Sequence, residues 1–264
     1  MAKNSSIEWT KHTANLWHGC TKVHEGCDNC YAAALSKRWG NDVWGNDKPR
    51  KQIRSVWDDL LKYQKEADSK GEKHRVFVGS MMDIFEKPMP VIDHLGNHYE
   101  HTTGELRLRF FDNITNGMYP NLMFLLLTKR PSNINKYIPD AWKHCPPDNV
   151  MFGTSPVNQA TANNLIAHLI EVKGKRFLSV EPQLDQITLL PWLQNNSIDW
   201  VIQGGESGPR KRPFNTDWAR TLKSECQMTN IPYFFKQIDK VQPIPDDLMV
   251  REFPLSHWTN NCFS

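Results

Sequence analysis

Apolar residues gather in short runs along this chain, and each run ends in a polar or glycine-rich corner. The runs occupy 15–19, 75–79, 122–127, 150–153, 176–180, 200–203 and 232–235. The first leads into a cysteine-rich segment. The later corners read Ser80-Met81-Met82-Asp83, Thr128-Lys129-Arg130-Pro131, Thr154-Ser155, Glu181-Pro182, Gly204-Gly205-Glu206-Ser207-Gly208 and Lys236-Gln237. Continuous apolar runs bounded by turn signals suit strands covered on both faces, as in a parallel sheet. Between them the pattern changes to a helical period. Segment 27–39 is Ala-rich and amphipathic, and 53–70 is long and charged. Segment 161–173 spaces Leu165, Ile166, Leu169 and Ile170 for one helix face, and 215–227 opens on Asn215-Thr216-Asp217, a plausible N-cap.

Strand followed by helix, six or seven times over, predicts an α/β fold with right-handed connections. A full eight-unit barrel takes about 250 residues. Here 264 residues must also carry an insertion over 86–105, read as a loop or lid, and an irregular tail over 238–264 with Pro243, Pro245 and Pro254. The expectation is therefore one domain: a partial (βα)6–7 TIM-type barrel with its core over about 7–237. In such a barrel the corners after the strands share one end, where active sites form.

Composition narrows this little. The formal charge is +3, so no strong global field draws the chain to nucleic acid or to an anionic membrane. Two local basic clusters, Lys48/Arg50/Lys51/Arg54 and Arg210/Lys211/Arg212, read either as solvated faces or as nucleic-acid contacts. The opening MAKNSSIEWT has no apolar signal-peptide core, and the longest apolar run, 122–127, is too short to span a bilayer. The expected location is the cytoplasm, where thiols stay reduced, so the six cysteines are not read as a disulfide framework. Cys20, Cys27 and Cys30 crowd together, while Cys145, Cys226 and Cys262 are scattered as ordinary buried thiols would be.

The crowded three are spaced C-x6-C-x2-C. Three thiolates from one loop can ligate three irons of a [4Fe–4S] cubane and leave the fourth iron open. That open position can chelate the amino and carboxylate groups of S-adenosylmethionine (SAM), whose reductive cleavage gives a hydrogen-abstracting 5′-deoxyadenosyl radical. Gly19 and Gly26 are read as letting the loop curl around the cluster. A structural zinc site, with His18 or His24 as fourth ligand, is the bland alternative.

The ordered motifs Cys20-x6-Cys27-x2-Cys30-Tyr31, Gly79-Ser80-Met81-Met82-Asp83, Leu127-Thr128-Lys129-Arg130-Pro131, Ser179-Val180-Glu181-Pro182, Gly204-Gly205-Glu206-Ser207-Gly208 and Phe234-Phe235-Lys236-Gln237 resemble a group of phage and prophage proteins described as radical-SAM-like. The resemblance runs over about 7–237 and implies a partial barrel, a [4Fe–4S] cluster and SAM. The first cysteine gap departs from the usual C-x3-C-x2-C. The usual GGE after the second strand is replaced by Gly79-Ser80-Met81-Met82-Asp83, so Gly204-Gly205-Glu206 does not inherit that role.

Cofactor contacts are expected from Ser80, Asp83, Thr128, Lys129, Ser155, Glu181, Gly204, Gly205 and Glu206, with Glu206 and Lys236 as candidates for catalysis. Several have structural readings too: Ser80 or Asp83 as a helix N-cap, Ser155 as a helix start, Lys129 and Lys236 as surface charges. Trp9, Trp17, Trp39, Trp44 and Trp57 crowd the first quarter among basic residues, as core or as a nucleobase-stacking surface. The phage resemblance implies a nucleic acid base as substrate, for example an amino-acid-modified thymidine in phage DNA. A host flavodoxin or ferredoxin is the expected electron donor. The alternatives are a peptide or small-molecule substrate, or a zinc-stabilised binding module without catalysis.

Overall fold

A computed structural model describes residues 5–208 and 210–254. Seven parallel strands form its main sheet: β1 (His12–Ala14), β4 (His74–Val78), β7 (Leu122–Thr128), β8 (Val150–Thr154), β9 (Lys175–Val180), β10 (Trp200–Gly204) and β11 (Tyr233–Gln237), adjacent in that order. Chain order matches spatial order, as in a barrel wound in one direction. β1 and β11 are the sheet's two edges, so the barrel is partial. A second sheet joins β2 (Trp17–His18), β3 (Arg50–Gln52), β5 (Pro90–Ile92) and β6 (His98–Thr102). The main helices are α1 (Tyr31–Arg38), α2 (Val56–Lys70), α3 (Thr103–Thr115), α6 (Gln159–Ile170) and α8 (Thr216–Thr229), with short α4 (Ile134–Tyr137), α5 (Asp140–His144) and α7 (Leu190–Gln194).

Alternation along the strands divides the core in two. Val76, Val78, Phe124, Leu126, Phe152, Leu178, Val180 and Phe235 pack outward against the helix layer. Phe77, Leu125, Met151, Phe177, Trp200, Ile202 and Phe234 pack together on the inner face around Trp9. The Trp9 ring lies 4.7 Å from Phe77 of β4, 6.4 Å from Phe177 of β9 and 6.2 Å from Trp200 of β10. One side chain reaches strands far apart in the sheet order only because the sheet curls around it. Phe253 closes the same end, 5.8 Å from Trp200 and stacked under the Arg75 guanidinium. Gly153 on β8 admits the Phe177 ring, which a Cβ there would meet at 2.4 Å.

Four expectations change. The first parallel strand is His12–Ala14, not 15–19. It is too short and polar to register as an apolar run, and its polar residues are buried through contacts made elsewhere: His12 stacks on Tyr63 and bonds to His74. Trp17–His18 passes into the second sheet instead. The insertion is not a loop or lid: it contributes β5 and β6 to that sheet, and Thr102 with Glu105 forms a capping box that starts α3. Its strands carry no long apolar run: β5 has three residues, with only Val91 fully buried, and β6 is the outer edge of the sheet with no buried residue. The helix expected over 27–39 begins only at Tyr31, after a 3-10 turn at Glu25–Cys27. The Lys48–Arg54 cluster is not one solvated or nucleic-acid-binding face, because Arg50 is fully buried and ion-paired with Glu86 at 2.6 Å.

Other expectations hold. Asn215 caps α8 by accepting from the Asp217 N–H. Of the tail expected over 238–264, residues 238–254 are irregular apart from a 3-10 turn at Asp246–Leu248 and one bridge to β11, and 255–264 lie outside the described residues. Among the described residues no helix is long and apolar enough to cross a membrane. Cys226 is a buried free thiol as expected, but Cys145 departs from the expectation of an ordinary buried, reduced thiol: it follows the end of α5 at the surface, exposed and disulfide-bonded, and Cys262 lies outside the described residues.

Candidate functional site

The inner face of the sheet changes character along its length. Phe77, Leu125, Phe177 and Phe234 fill the end beneath Trp9, small Gly153 and Ser179 follow, and Lys129, Glu181, Glu206 and Lys236 stand at the C-terminal ends. Those ends surround one pocket. Cys20, Cys27 and Cys30 line it, together with Ser80, Asp83, Thr128, Lys129, Ser155, Glu181, Gly205, Glu206 and Lys236. Of the predicted positions, only Gly204 lies outside its wall.

The cysteine loop is held in place by protein contacts. Gly19 has φ +117°, and a Cβ there would meet the Val43 carbonyl at 2.3 Å. Gly26 faces Val157, which a Cβ would meet at 2.6 Å. Both glycines thus serve the loop's packing against neighbouring chain. The Gly19 N–H bonds to the Met81 carbonyl, docking the loop beside the corner after β4. His24 accepts from the Gly26 N–H, and burial, aided by Lys129 and Arg130, lowers its pKa to about 4. Cys30 is the residue before α1, without a side-chain cap bond. All three thiols are free and partly exposed.

Asp83 and Arg130 form the polar wall next to Cys20. Asp83 accepts from the Thr128 hydroxyl at 2.7 Å and the Phe85 N–H at 3.0 Å. Its other oxygen accepts from the Lys129 N–H at 3.2 Å and Arg130 Nη1 at 2.7 Å. Arg130 Nη1 also approaches Cys20 Sγ at 3.8 Å, and Nη2 donates to the Thr21 carbonyl at 2.7 Å. Asp83 and Thr128 therefore line the pocket with their polar atoms already engaged. Sequence reasoning missed this use of Asp83. Nothing local announces the approach of Arg130 to Cys20 either, because that contact spans 110 residues.

The other corners divide in the same way. Ser80 Oγ accepts from Asn15, and its carbonyl accepts from the Tyr31 hydroxyl. Glu181 and Lys236 form an ion pair at the mouth. Glu206 takes bonds from Asn29 Nδ2 at 2.9 Å and from Arg212 Nη2 at 2.7 Å. Burial pushes its carboxyl up, but the Arg212 and Asn29 hydrogen bonds outweigh that and leave it below the ordinary value. Gly205 turns out to be a packing device, whereas Gly204 is not: a Cβ at Gly205 would stand 2.0 Å from the Ile238 carbonyl, one at Gly204 no closer than 3.4 Å to any neighbour, and the Gly205 N–H bonds to the Gln237 carbonyl. Lys129 is half-buried, and its ammonium forms no ion pair among the described residues. Ser155 is 1 % exposed, and its hydroxyl has no hydrogen-bond partner among the described residues.

Residues 4–251 match a family model described as "Protein of unknown function (DUF5131)". The chain belongs to this family. No curated protein and no solved structure matches it.

Among the described residues, no three His, Cys, Asp or Glu side chains converge closely enough to hold one metal ion. A single tetrahedral zinc requires such convergence. A cubane spreads its thiolates over three different irons, so its ligands stand around a volume rather than a point. Three free thiols bordering one pocket, with a buried unpartnered hydroxyl in the same wall, fit a cluster and a polar ligand beside it.

Proposed function

We propose that this protein is a radical SAM enzyme in which Cys20, Cys27 and Cys30 hold a [4Fe–4S] cluster. The observation that carries the reading is that these thiols share one pocket with the polar corners of a partial parallel barrel. When bound, the cluster and SAM would supply a carbon-centred radical. The chain's own residues bind, orient and exclude water. Ser155 offers a hydroxyl to a ligand hydroxyl or carboxylate, since a buried hydroxyl left unpaired is costly. Lys129 offers a cation for a carboxylate or phosphate, and the Glu181–Lys236 pair presents both charges at the mouth. Met81, Met82, Phe77 and Leu127 supply the apolar wall that keeps water from a reactive centre.

The substrate within this reading is a nucleic acid base, as in modification of phage DNA, and the electron donor is a flavodoxin or ferredoxin. Its support is the resemblance together with aromatic surface near the site: Trp44 and Tyr31 border the pocket, and Trp39 is 53 % exposed, stacked on His18 two residues before Cys20. Comparing the nucleosides of DNA made with active protein and with its Cys27→Ala variant by mass spectrometry tests this part. A new nucleoside only with the active protein is expected, and identical profiles would remove the nucleic acid substrate while leaving the cluster intact.

A further inference from the structure

One nitrogen of Arg130 touches two groups of opposite consequence. Nη1 lies 3.8 Å from Cys20 Sγ and 2.7 Å from Asp83 Oδ2. The guanidinium cannot swing away, because Nη2 is fixed on the Thr21 carbonyl in the cysteine loop. Asp83 is fixed as firmly by Thr128, Phe85 and the Lys129 N–H, and it is 5 % exposed. A cation donating to a ligand sulfur and a carboxylate just behind it are thus held rigidly beside one cysteine of the three.

We infer that the Arg130–Asp83 pair sets the reduction potential of the cluster through Cys20, with Arg130 raising it and Asp83 lowering it. The inference rests on the cluster reading above. Reduction adds one electron, taken from an external one-electron donor, and no bond is made or broken. The added negative charge is shared with the sulfur ligands. An N–H donor to a sulfur and a nearby positive charge favour the reduced form, whereas a nearby carboxylate disfavours it, and partial burial keeps water from screening either. Removing the cation also leaves the Asp83 charge uncompensated. The two residues are positioning residues and touch no substrate in this scheme.

The test is a dithionite titration with redox mediators, followed by electron paramagnetic resonance, on anaerobically reconstituted wild type, Arg130→Met and Asp83→Asn. Asparagine keeps the side chain's shape and its acceptor oxygen. The expected result is a pair of opposite shifts: Arg130→Met more negative than wild type, Asp83→Asn less negative. Coincident potentials, or shifts of the same sign, overturn the inference. Should Arg130→Met take up no cluster, the Asp83→Asn shift decides alone: a rise supports the inference and no rise overturns it. If neither variant takes up the cluster while wild type does, the pair retains the cluster rather than tunes it, and the inference falls. A wild type that takes up no cluster fails the underlying reading instead.

Discussion

Burial raises the Cys20 thiol from an ordinary 9.0 to about 12, the Asp83 carboxylate adds to this, and Arg130 opposes it. Without metal, Cys20 is therefore held as a thiol that must lose its proton to ligate. A folded-state pKa above the unfolded value contributes stability below pH 9 that is lost as pH rises toward 12. At pH 8.5, iodoacetamide should accordingly alkylate Cys20 in the native apoprotein far more slowly than in urea-unfolded protein. Peptide mass spectrometry reads this, and equal rates would show the thiol to be unperturbed. His24 shifts the other way, from 6.5 to about 4. Its contribution is present above pH 6.5 and is lost as pH falls toward 4, because protonation removes the acceptor for the Gly26 N–H. Urea titrations at pH 7 and pH 4.5 should show the protein weaker at the lower pH, with a smaller difference in His24→Asn. The cysteines were legible because their spacing alone implies shared chemistry. The engagement of Asp83, Thr128 and Glu206 was not, because a carboxylate after a strand reads the same whether it faces a ligand or an arginine brought from far along the chain.

Two elements rest on single positions whose role the fold explains. The corner after β10 packs against the segment after β11 so closely that only glycine fits at position 205. Gly205→Ala should destabilise the fold by roughly 1–3 kcal/mol through overpacking, measured by urea unfolding, while Gly208→Ala, with open space around it but φ +113°, should cost less. Arg50 on β3 joins the second sheet to the cysteine loop: it pairs with Glu86, donates to Thr21 and reaches the carbonyls of Val43, Gly45 and Lys48. Arg50→Met leaves Glu86 buried without its partner and should cost about 3–5 kcal/mol in the same assay. A cost within error would mean that Glu86 finds another partner. Strands β4 and β7 through β11 were visible as apolar runs because both of their faces are covered. β1, β5 and β6 were not, because β1 and β5 have only three residues each and β6 is mostly polar, so none carries a periodic signal, and their pairing is decided by neighbours rather than by themselves.

At the scale of the molecule, an open sheet of seven strands curls because aromatic residues from both of its halves meet inside it. Trp9 joins them, so Trp9→Ala should cost roughly 3–5 kcal/mol and lower the midpoint of thermal unfolding. The alternation of strand and helix made this winding legible. The second sheet was hidden, since its strands come from three separate segments. The same curl gathers corners from across the sheet around Cys20, Cys27 and Cys30, for which we propose a [4Fe–4S] cluster. Anaerobic reconstitution with iron and sulfide, followed by reduction in the presence of SAM, tests it most directly. About four irons and four sulfides per chain, visible charge-transfer absorption, and 5′-deoxyadenosine on reduction are expected. All three signals should vanish in each of Cys20→Ala, Cys27→Ala and Cys30→Ala and persist in Cys145→Ala. Wild-type protein that takes up no cluster, or holds one that never cleaves SAM when reduced, would contradict a radical SAM function.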